Sequence, residues 1–359
     1  MAPELTKVGT VRPRVGEWVF GKLRVGVYPD GRGAFIPLRV VRGKKPGPTV
    51  ALLTGAHGDE INGPETVGRL LALLDPRTVR GTLIVLPLTN PWGFAARARE
   101  VTIDGRDLNR SFPGHAQGSF TFQVAHAILN DVVAHVDAVI DVHDAGTRNV
   151  QLPHTRVHLR PASDPTRALG LAFGSDVVIE RQAEPGMLAG VVRDRFGIPA
   201  VTVEVGGATQ LWESFLARGV HGLRNMLRAL DVLSGSLELP TTQRLVRIRH
   251  GFPAELSGIQ TSFVRLGEFV APGQPLYRIY NPNDGRTMIH RARACGIVLG
   301  KNLMGHVARG DDAIDVLAFM ACGRGAPMEG DVVHNRAGDG VVTFPSSVSW
   351  AHHAHRVVP

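Results

Sequence analysis

The sequence predicts an α/β fold with a mostly parallel mixed sheet flanked by helices, followed by a small all-β C-terminal unit. Apolar, β-branched runs alternate with helical patterns over the first two thirds of the chain, which is the pattern of parallel βαβ units. Glycines and polar side chains directly follow several of these runs, as expected where ligands gather at the carboxyl ends of parallel strands. After about residue 240, short strands separated by glycine and proline turns replace the helical pattern.

The elements can be placed in chain order. Alternation of apolar and polar residues between 15 and 45 predicts edge strands that enter the sheet. The elements predicted after them are a strand ending at Thr54, a helix from about Pro64, a strand from Thr82, a helix over about 120–135, a strand ending at His143, a strand from Asp176, a helix near 186–196, a strand from Ala200 and a helix over about 212–233.

Two of the predicted strand ends carry potential metal ligands. The apolar run 49–54 is followed by His57 and Glu60, and His/Glu donor sets with an open position are typical of catalytic zinc. Alone, this pair is equally compatible with a solvated turn. A second strand ends at His143, with Asp141 two residues earlier on the same face, where it could orient the imidazole. The sequence therefore predicts a three-ligand metal site.

A carboxylate and a cation-rich loop accompany these ligands. Glu204 interrupts the apolar run 200–205, which two glycines close. Burying a lone carboxylate costs several kcal/mol, so Glu204 is either paired structurally or faces a cleft where it can accept a proton from water. The loop 90–114 is dense in arginines, whose planar forks suit carboxylates and developing oxyanions.

Together these motifs resemble the succinylglutamate desuccinylase/aspartoacylase family of zinc deacylases, which are relatives of the zinc carboxypeptidases. The resemblance covers about residues 35–320. It rests on five segments, which are Gly55-Ala-His57-Gly-Asp-Glu60, Asn90-Pro, Asp104-Gly-Arg-Asp-Leu-Asn109-Arg110-Ser-Phe-Pro-Gly, Asp141-Val-His143-Asp and Gly197-Ile-Pro-Ala-Val-Thr-Val-Glu204-Val-Gly-Gly.

The resemblance implies a zinc-carboxypeptidase-like sheet and a role for each matching residue. The implied ligands of one zinc ion per chain are His57, Glu60 and His143. Glu204 would act as general base and then as general acid. Arg99 would polarise the scissile carbonyl, with Arg97 as the nearby alternative. Asn109 and Arg110 would grip a substrate carboxylate.

The predicted function is that of a zinc-dependent hydrolase which cleaves the amide bond of a small N-acylated amino acid or a related carboxylate-bearing amide. Metal-activated water and Glu204 would carry out the reaction. A zinc carboxypeptidase acting on peptides or cell-wall fragments is the enzymatic alternative. A non-catalytic metal-binding scaffold is the alternative from another class, but it would have no reason to retain Glu204 and Arg99 beside the ligands.

The composition of the chain limits the kinds of partner that we expect. The 359 residues include 43% hydrophobic residues and carry a formal net charge of +8, which favours a packed core and a small anionic substrate. The arginines are scattered and aromatic residues make up 6%, so we expect no nucleic-acid partner. Apolar runs fall short of the ~20 residues of a membrane span. The N-terminus lacks a signal-peptide core, which predicts a cytoplasmic protein without a membrane partner. Homo-oligomerisation is left open.

The chain is predicted to divide into a zinc-dependent catalytic domain (1–240), an all-β barrel-sandwich-like domain (241–322) and a C-terminal extension (323–359). Val-Ala-x-Gly recurs at 270–273 and 307–310, as in the two hairpin halves of biotinyl and lipoyl carrier domains. Lys301 lies between these repeats without the flanking pattern of a carrier lysine, so we expect a structural or lid role for this domain.

Two further groups of residues are interpreted from their context. Cys295 and Cys322 could in principle pair, but they lie in no Cys-x-x-Cys motif, and we interpret them as free thiols. The terminal cluster of His352, His353 and His355 could bind a metal incidentally, although such a cluster is more often solvated.

Overall fold

A computed structural model describes residues 6–158, 164–318 and 332–334. The strands of the first part of the chain are β1 (Trp18–Val27), β2 (Gly33–Arg42), β3 (Lys45–Thr54), β4 (Arg80–Leu86), β5 (Ala138–His143), β6 (Asn149–His158), β7 (Val177–Arg181), β8 (Ala200–Gly207) and β9 (Thr242–Val246). The helices are α1 (Asn62–Leu73), α2 (Pro91–Ala96), α3 (Phe120–Asp131), α4 (Pro165–Ala172), α5 (Leu188–Phe196) and α6 (Glu213–Ala229).

The main sheet has a parallel centre with antiparallel additions. Its order runs β1-β2-β4-β3-β5-β8-β6. The neighbours β4, β3, β5 and β8 are parallel to one another, whereas β1, β2 and β6 pair antiparallel with their neighbours in this order. Every residue of β5 and β8 is buried, which is typical of parallel strands covered on both faces. The predicted α/β class is confirmed.

Helices cover this sheet on both faces and form two cores. One core contains Val124 and Ile128 of α3 together with Leu188 of α5. The other contains Leu70 of α1, Leu223 of α6 and side chains of α4. None of the helices in the described ranges is long and apolar enough to cross a bilayer.

The sequence did not predict β6 or α4. β6 mixes apolar residues with polar ones, and several of its polar side chains are buried, namely Gln151, His154 and Thr155. A strand with buried polar residues lacks the clean alternation that identifies strands from sequence. The predicted helix over 120–135 is α3 followed by a 3₁₀ turn, Val133–His135.

The second part of the chain is all-β wherever the structure describes it, as predicted. Its strands are β10 (Ile248–Pro253), β11 (Gly258–Ser262), β12 (Phe269–Val270), β13 (Pro275–Tyr280), β14 (Thr287–Arg291), β15 (Gly296–Asn302), β16 (His306–Val307), β17 (Asp312–Ala318) and β18 (Val332–His334). The order β14-β13-β11-β16 forms a separate four-stranded antiparallel sheet. This sheet shares an apolar core with β15 and β17. The core contains the buried side chains of Tyr277 in β13, Val298 in β15 and Ile314 in β17.

The second unit is hydrogen-bonded to the first. β15 pairs with β6, where Gly300 faces Gln151, so the large sheet continues from one unit into the other. β9 pairs with β7, and β18 pairs with β9. The predicted division into 1–240, 241–322 and 323–359 stays a prediction.

One sequence interpretation is corrected. Cys295 is buried and disulfide-bonded, so the free-thiol interpretation is wrong for this residue. The absence of a Cys-x-x-Cys motif was a poor guide, because a disulfide depends on which cysteines the fold brings together. Cys322 and the cluster of His352, His353 and His355 lie outside the described residues.

Candidate active site

The site forms where three adjacent parallel strands end. His57 follows β3, His143 is the last residue of β5, and Glu204 lies near the end of β8. β5 lies between β3 and β8, and His143 and Glu204 are register partners on neighbouring strands. The parallel arrangement therefore brings together side chains that are far apart in sequence.

Two imidazoles converge on one carboxylate. His57 Nδ1 lies 2.6 Å from Glu60 Oε1, and His143 Nδ1 lies 2.9 Å from Glu60 Oε2. All three residues are buried. One ligand atom from each lies within 4.8 Å of those of the other two, so this group could hold a metal ion.

A second carboxylate fixes each imidazole from its other side. His57 Nε2 lies 3.1 Å from Asp107 Oδ1, and His143 Nε2 lies 2.9 Å from Asp141 Oδ2. An Nε2–H that donates to a carboxylate leaves the Nδ1 lone pair for a metal. Asp141 thus lies where the sequence placed it, whereas the contact between Asp107 and His57 was not predicted.

The pKa shifts in the pocket indicate whether a cation would be stable there. Burial alone would raise the pKa of Glu60, but His57 and His143 hold it below its usual range. Burial alone would lower the pKa of each imidazole, yet the surrounding carboxylates raise it, for His143 well above its ordinary value. Burial, with Glu60, raises the pKa of Asp144 to about 8. The pocket therefore favours positive charge, and its donor set suits a divalent metal.

Arg99 lies beside the ligands and Arg97 does not. Arg99 Nη2 donates to Asp107 Oδ2 at 3.0 Å, and Arg99 Nη1 lies 3.6 Å from Glu60 Oε1. Arg97 is exposed at the C-terminus of α2. Of the two arginines that the sequence offered, Arg99 is the one that the fold brings to the site.

Asn109 lies against His143 and has a fixed orientation. Its Oδ1 accepts from the backbone N–H of Leu188 at 2.9 Å, and its Nδ2 lies 3.3 Å from His143 Nε2. That nitrogen cannot accept a hydrogen bond from Asn109 while its own hydrogen points to Asp141. The Nδ2 hydrogens of Asn109 therefore have no acceptor in His143 Nε2.

Arg110 has a partner that comes from outside its own loop. Its Nη2 donates to Glu184 Oε2 at 2.6 Å, and Glu184 lies just before α5. The two residues are 74 positions apart in sequence, so no local pattern could have predicted the pair.

Glu204 is held by an arginine that the sequence reasoning missed. Arg156 Nη1 lies 2.9 Å from Glu204 Oε1. Its Nη2 donates to Gln151 Oε1 at 3.0 Å, and its Nε donates to His154 Nε2 at 3.2 Å. Burial and the charge of Arg156 keep the pKa of His154 well below its usual value, so this imidazole is neutral and can accept the bond. All three nitrogens of the guanidinium are thereby engaged.

Comparison with known proteins identifies the family. Residues 46–230, just over half of the chain, match the model for the succinylglutamate desuccinylase/aspartoacylase catalytic domain. The chain belongs to the succinylglutamate desuccinylase/aspartoacylase family. The family resemblance inferred from the motifs is thus confirmed.

Individual relatives agree with this assignment. An N-alpha-acetyl-L-2,4-diaminobutyric acid deacetylase of Halomonas elongata is 31% identical over 305 residues, covering 81% of this chain and 88% of the relative. The structure is also similar to a succinylglutamate desuccinylase/aspartoacylase from Rhodobacter sphaeroides, with 28% identity, a TM-score of 0.76 and coverage of 84% of this chain and 95% of that one. The product-bound ectoine utilization protein EutE (DoeB) from Ruegeria pomeroyi has 27% identity and a TM-score of 0.77, with coverage of 88% and 99%.

As a member of the desuccinylase/aspartoacylase family, the protein is a hydrolase of the deacylase type, which acts on amide bonds. This confirms the predicted enzyme class. Three residues at its site, Asp107, Arg156 and Glu184, were not assigned from the sequence, and only Asp107 had a local sequence signal. Asp107 also accepts from the backbone N–H of Asn109 at 2.8 Å, a capping contact that an Asp-x-Asn sequence suggests. Arg156 and Glu184 had no such local signal.

Proposed function

We propose that this chain is a zinc-dependent deacylase that hydrolyses the amide bond of a small N-acylated amino acid with a free carboxylate. The observation that carries the proposal is the register of Glu204 with His143, which sets a carboxylate beside the His57–Glu60–His143 group. The name of the Halomonas elongata relative suggests an N-acetylated diamino acid as the first substrate to test.

In this proposal, His57, His143 and Glu60 would hold zinc, and the Nδ1 atoms of the two imidazoles face the carboxylate of Glu60. The donor set of two imidazoles and one carboxylate is typical of catalytic zinc sites. When bound, the ion would act as a Lewis acid that makes water more acidic and polarises the scissile carbonyl. Asp107 and Asp141 keep the two imidazoles in the tautomer that ligation requires.

Glu204 moves the proton. Arg156 engages Oε1, which leaves Oε2 to take a proton as water attacks the carbonyl carbon. The new C–O bond places negative charge on the carbonyl oxygen, and the guanidinium of Arg99 stabilises that charge. Glu204 then delivers its proton to the leaving nitrogen as the C–N bond breaks. The products are a carboxylate and a free amine.

Substrate orientation depends on the turn that carries Asn109 and Arg110. The guanidinium of Arg110 suits a carboxylate, and the N–H groups of Asn109 can donate beside it. Because Asn109 also lies against His143, a carboxylate held at this turn keeps its N-acyl group close to the ligands. Fixing a substrate in this way contributes to the rate by proximity.

The test is a panel of Nα-acetyl-L-2,4-diaminobutyrate, N-acetylaspartate and N-succinylglutamate, with release of free amine measured on zinc-loaded protein. We expect at least one substrate to be cleaved. We expect His57→Ala to abolish both zinc binding and turnover, while His306→Ala, at an exposed position in β16, changes neither. Cleavage of peptides from the C-terminus in place of the panel would indicate the carboxypeptidase alternative. Stoichiometric zinc without any turnover would indicate the scaffold.

A further inference from the structure

The carboxylate of Glu184 lies between two arginines. Its Oε2 accepts from Arg110 Nη2 at 2.6 Å, and its Oε1 lies 3.5 Å from Arg181 Nη2. The side chains of Glu184, Arg110 and Arg181 are 49%, 38% and 28% exposed, so all three are accessible to a dissolved molecule. The structure therefore has two guanidinium groups that face a single carboxylate at an accessible place.

The backbone around Glu184 docks onto the turn that carries Arg110. The carbonyl of Gly186 accepts from the backbone N–H of Phe112 at 3.2 Å, and the N–H of Leu188 donates to Asn109. A Cβ on Gly186 would lie 2.2 Å from the carbonyl oxygen of Arg110, so glycine permits this close approach. Glu184 thus reaches Arg110 from a segment that is fixed to the same turn.

The two arginines are near different groups of the proposed site. Arg110 follows Asn109, which lies 3.3 Å from His143. Arg181 ends β7, where the charges of Arg156 and Glu204 act on it. The carboxylate of Glu184 therefore pairs with one arginine from the turn beside His143 and with a second arginine near Glu204.

Arg181 has two other arginines among its neighbouring charges. Burial and the neighbouring charges of Arg156 and Arg249 lower the pKa of Arg181. Among the described residues, the carboxylate that forms an ion pair with Arg181 is that of Glu184, with 3.5 Å between Arg181 Nη2 and Glu184 Oε1. An ion pair this exposed is screened by solvent, so an incoming carboxylate can displace it.

We infer that Arg181 and Arg110 together bind the substrate carboxylate, and that Glu184 occupies this position in the free enzyme and must be displaced by substrate. The inference rests on the proposed function and deepens it. It adds Arg181 to the binding site, and it makes Glu184 a competitor of anionic substrates. The ligand class is a monocarboxylate on the amino-acid portion of an N-acyl amino acid.

The experiment compares the free acid of a cleaved N-acyl amino acid with its primary carboxamide in four variants, one of which is a control. Glu184→Gln removes the competitor, so KM for the acid should fall about two- to fivefold with kcat unchanged, in line with the modest strength of exposed pairs. Arg181→Gln should raise KM for the acid about tenfold or more, as for loss of a charged hydrogen bond. KM for the carboxamide should change in neither variant. The matched control is Arg218→Gln, which removes an arginine of a different exposed ion pair, with Asp176, and should leave both KM values unchanged.

An unchanged or higher KM for the acid in Glu184→Gln would overturn the inference, and so would equal changes for the acid and the carboxamide. Arg110→Gln separates this failure from failure of the proposed function. If Arg110→Gln alters the acid-to-carboxamide ratio and the other two variants do not, only the inference is wrong. If Arg110→Gln also leaves the ratio unchanged, the proposed carboxylate site is wrong. Calorimetric binding of the acid to the same variants gives a readout that does not depend on turnover.

Discussion

The role of Arg156 in the site depends on its hydrogen-bond geometry as well as on its positive charge. A lysine would keep the positive charge near Glu204, but it lacks the planar fork that contacts Gln151, His154 and Glu204 at once. Arg156 is thus a positioning residue in the proposed mechanism. Its role is to fix one oxygen of the general base.

Arg156→Lys should therefore lower kcat by roughly 10- to 100-fold, because small displacements of a catalytic group are costly. KM and zinc content should stay close to those of the wild-type enzyme. Steady-state kinetics with one N-acyl amino acid, together with metal analysis, checks this. A raised KM with unchanged kcat would mean that Arg156 contacts the substrate and does not act through Glu204.

At the scale of elements, the start of α1 connects two of the strands that carry ligands. Asp144, next to His143, accepts from both the backbone N–H and the side-chain amide of Asn62 at 2.9 Å. Gly63 then packs against β3 and β5, since a Cβ there would lie 2.6 Å from Thr54 Oγ1 and 2.9 Å from the Val142 carbonyl oxygen. The position of α1 is therefore coupled to that of the proposed metal ligands.

Gly63→Ala should lower the free energy of unfolding by roughly 1–3 kcal/mol, the usual cost of overpacking, and it should weaken zinc binding. Gly68→Ala in the same helix is the matched control. Gly68 is exposed and a Cβ there meets nothing within 4 Å, so alanine should stabilise the helix by about 0.5–1 kcal/mol. Chemical denaturation and zinc titration measure both effects. Equal stability of the two variants would show that α1 can shift without cost.

Elements whose residue pattern lies within one short segment could be predicted from the sequence. His143 ends a mostly apolar strand and His57 comes three residues after another, so the strands and the polar side chains at their ends could be predicted. β6 could not, because the polar side chains that make it part of the site disrupt the strand pattern. The pair of Arg110 with Glu184 was hidden for a different reason, since it joins segments that only the tertiary fold brings together.

At the scale of the whole molecule, the second unit supports β6, the strand whose Arg156 contacts the proposed general base Glu204. β15 pairs with the first half of β6, and β7 pairs with the second half. Arg249 of β10 also contributes charge near Glu204 and Arg181. The all-β unit is thus continuous with the catalytic sheet on the side of Arg156, and it helps to shape the electrostatics of the site.

Glu204→Gln tests the central claim most directly when zinc content, melting temperature and turnover are measured on the same protein. Some loss of stability is expected, because Arg156 keeps only a neutral partner. Zinc should remain bound, and kcat per folded, zinc-bound molecule should fall by about 10²- to 10⁴-fold, the usual contribution of a positioned general base. Unchanged kcat in the folded, zinc-bound fraction would contradict the account and leave Glu204 with a structural role alone.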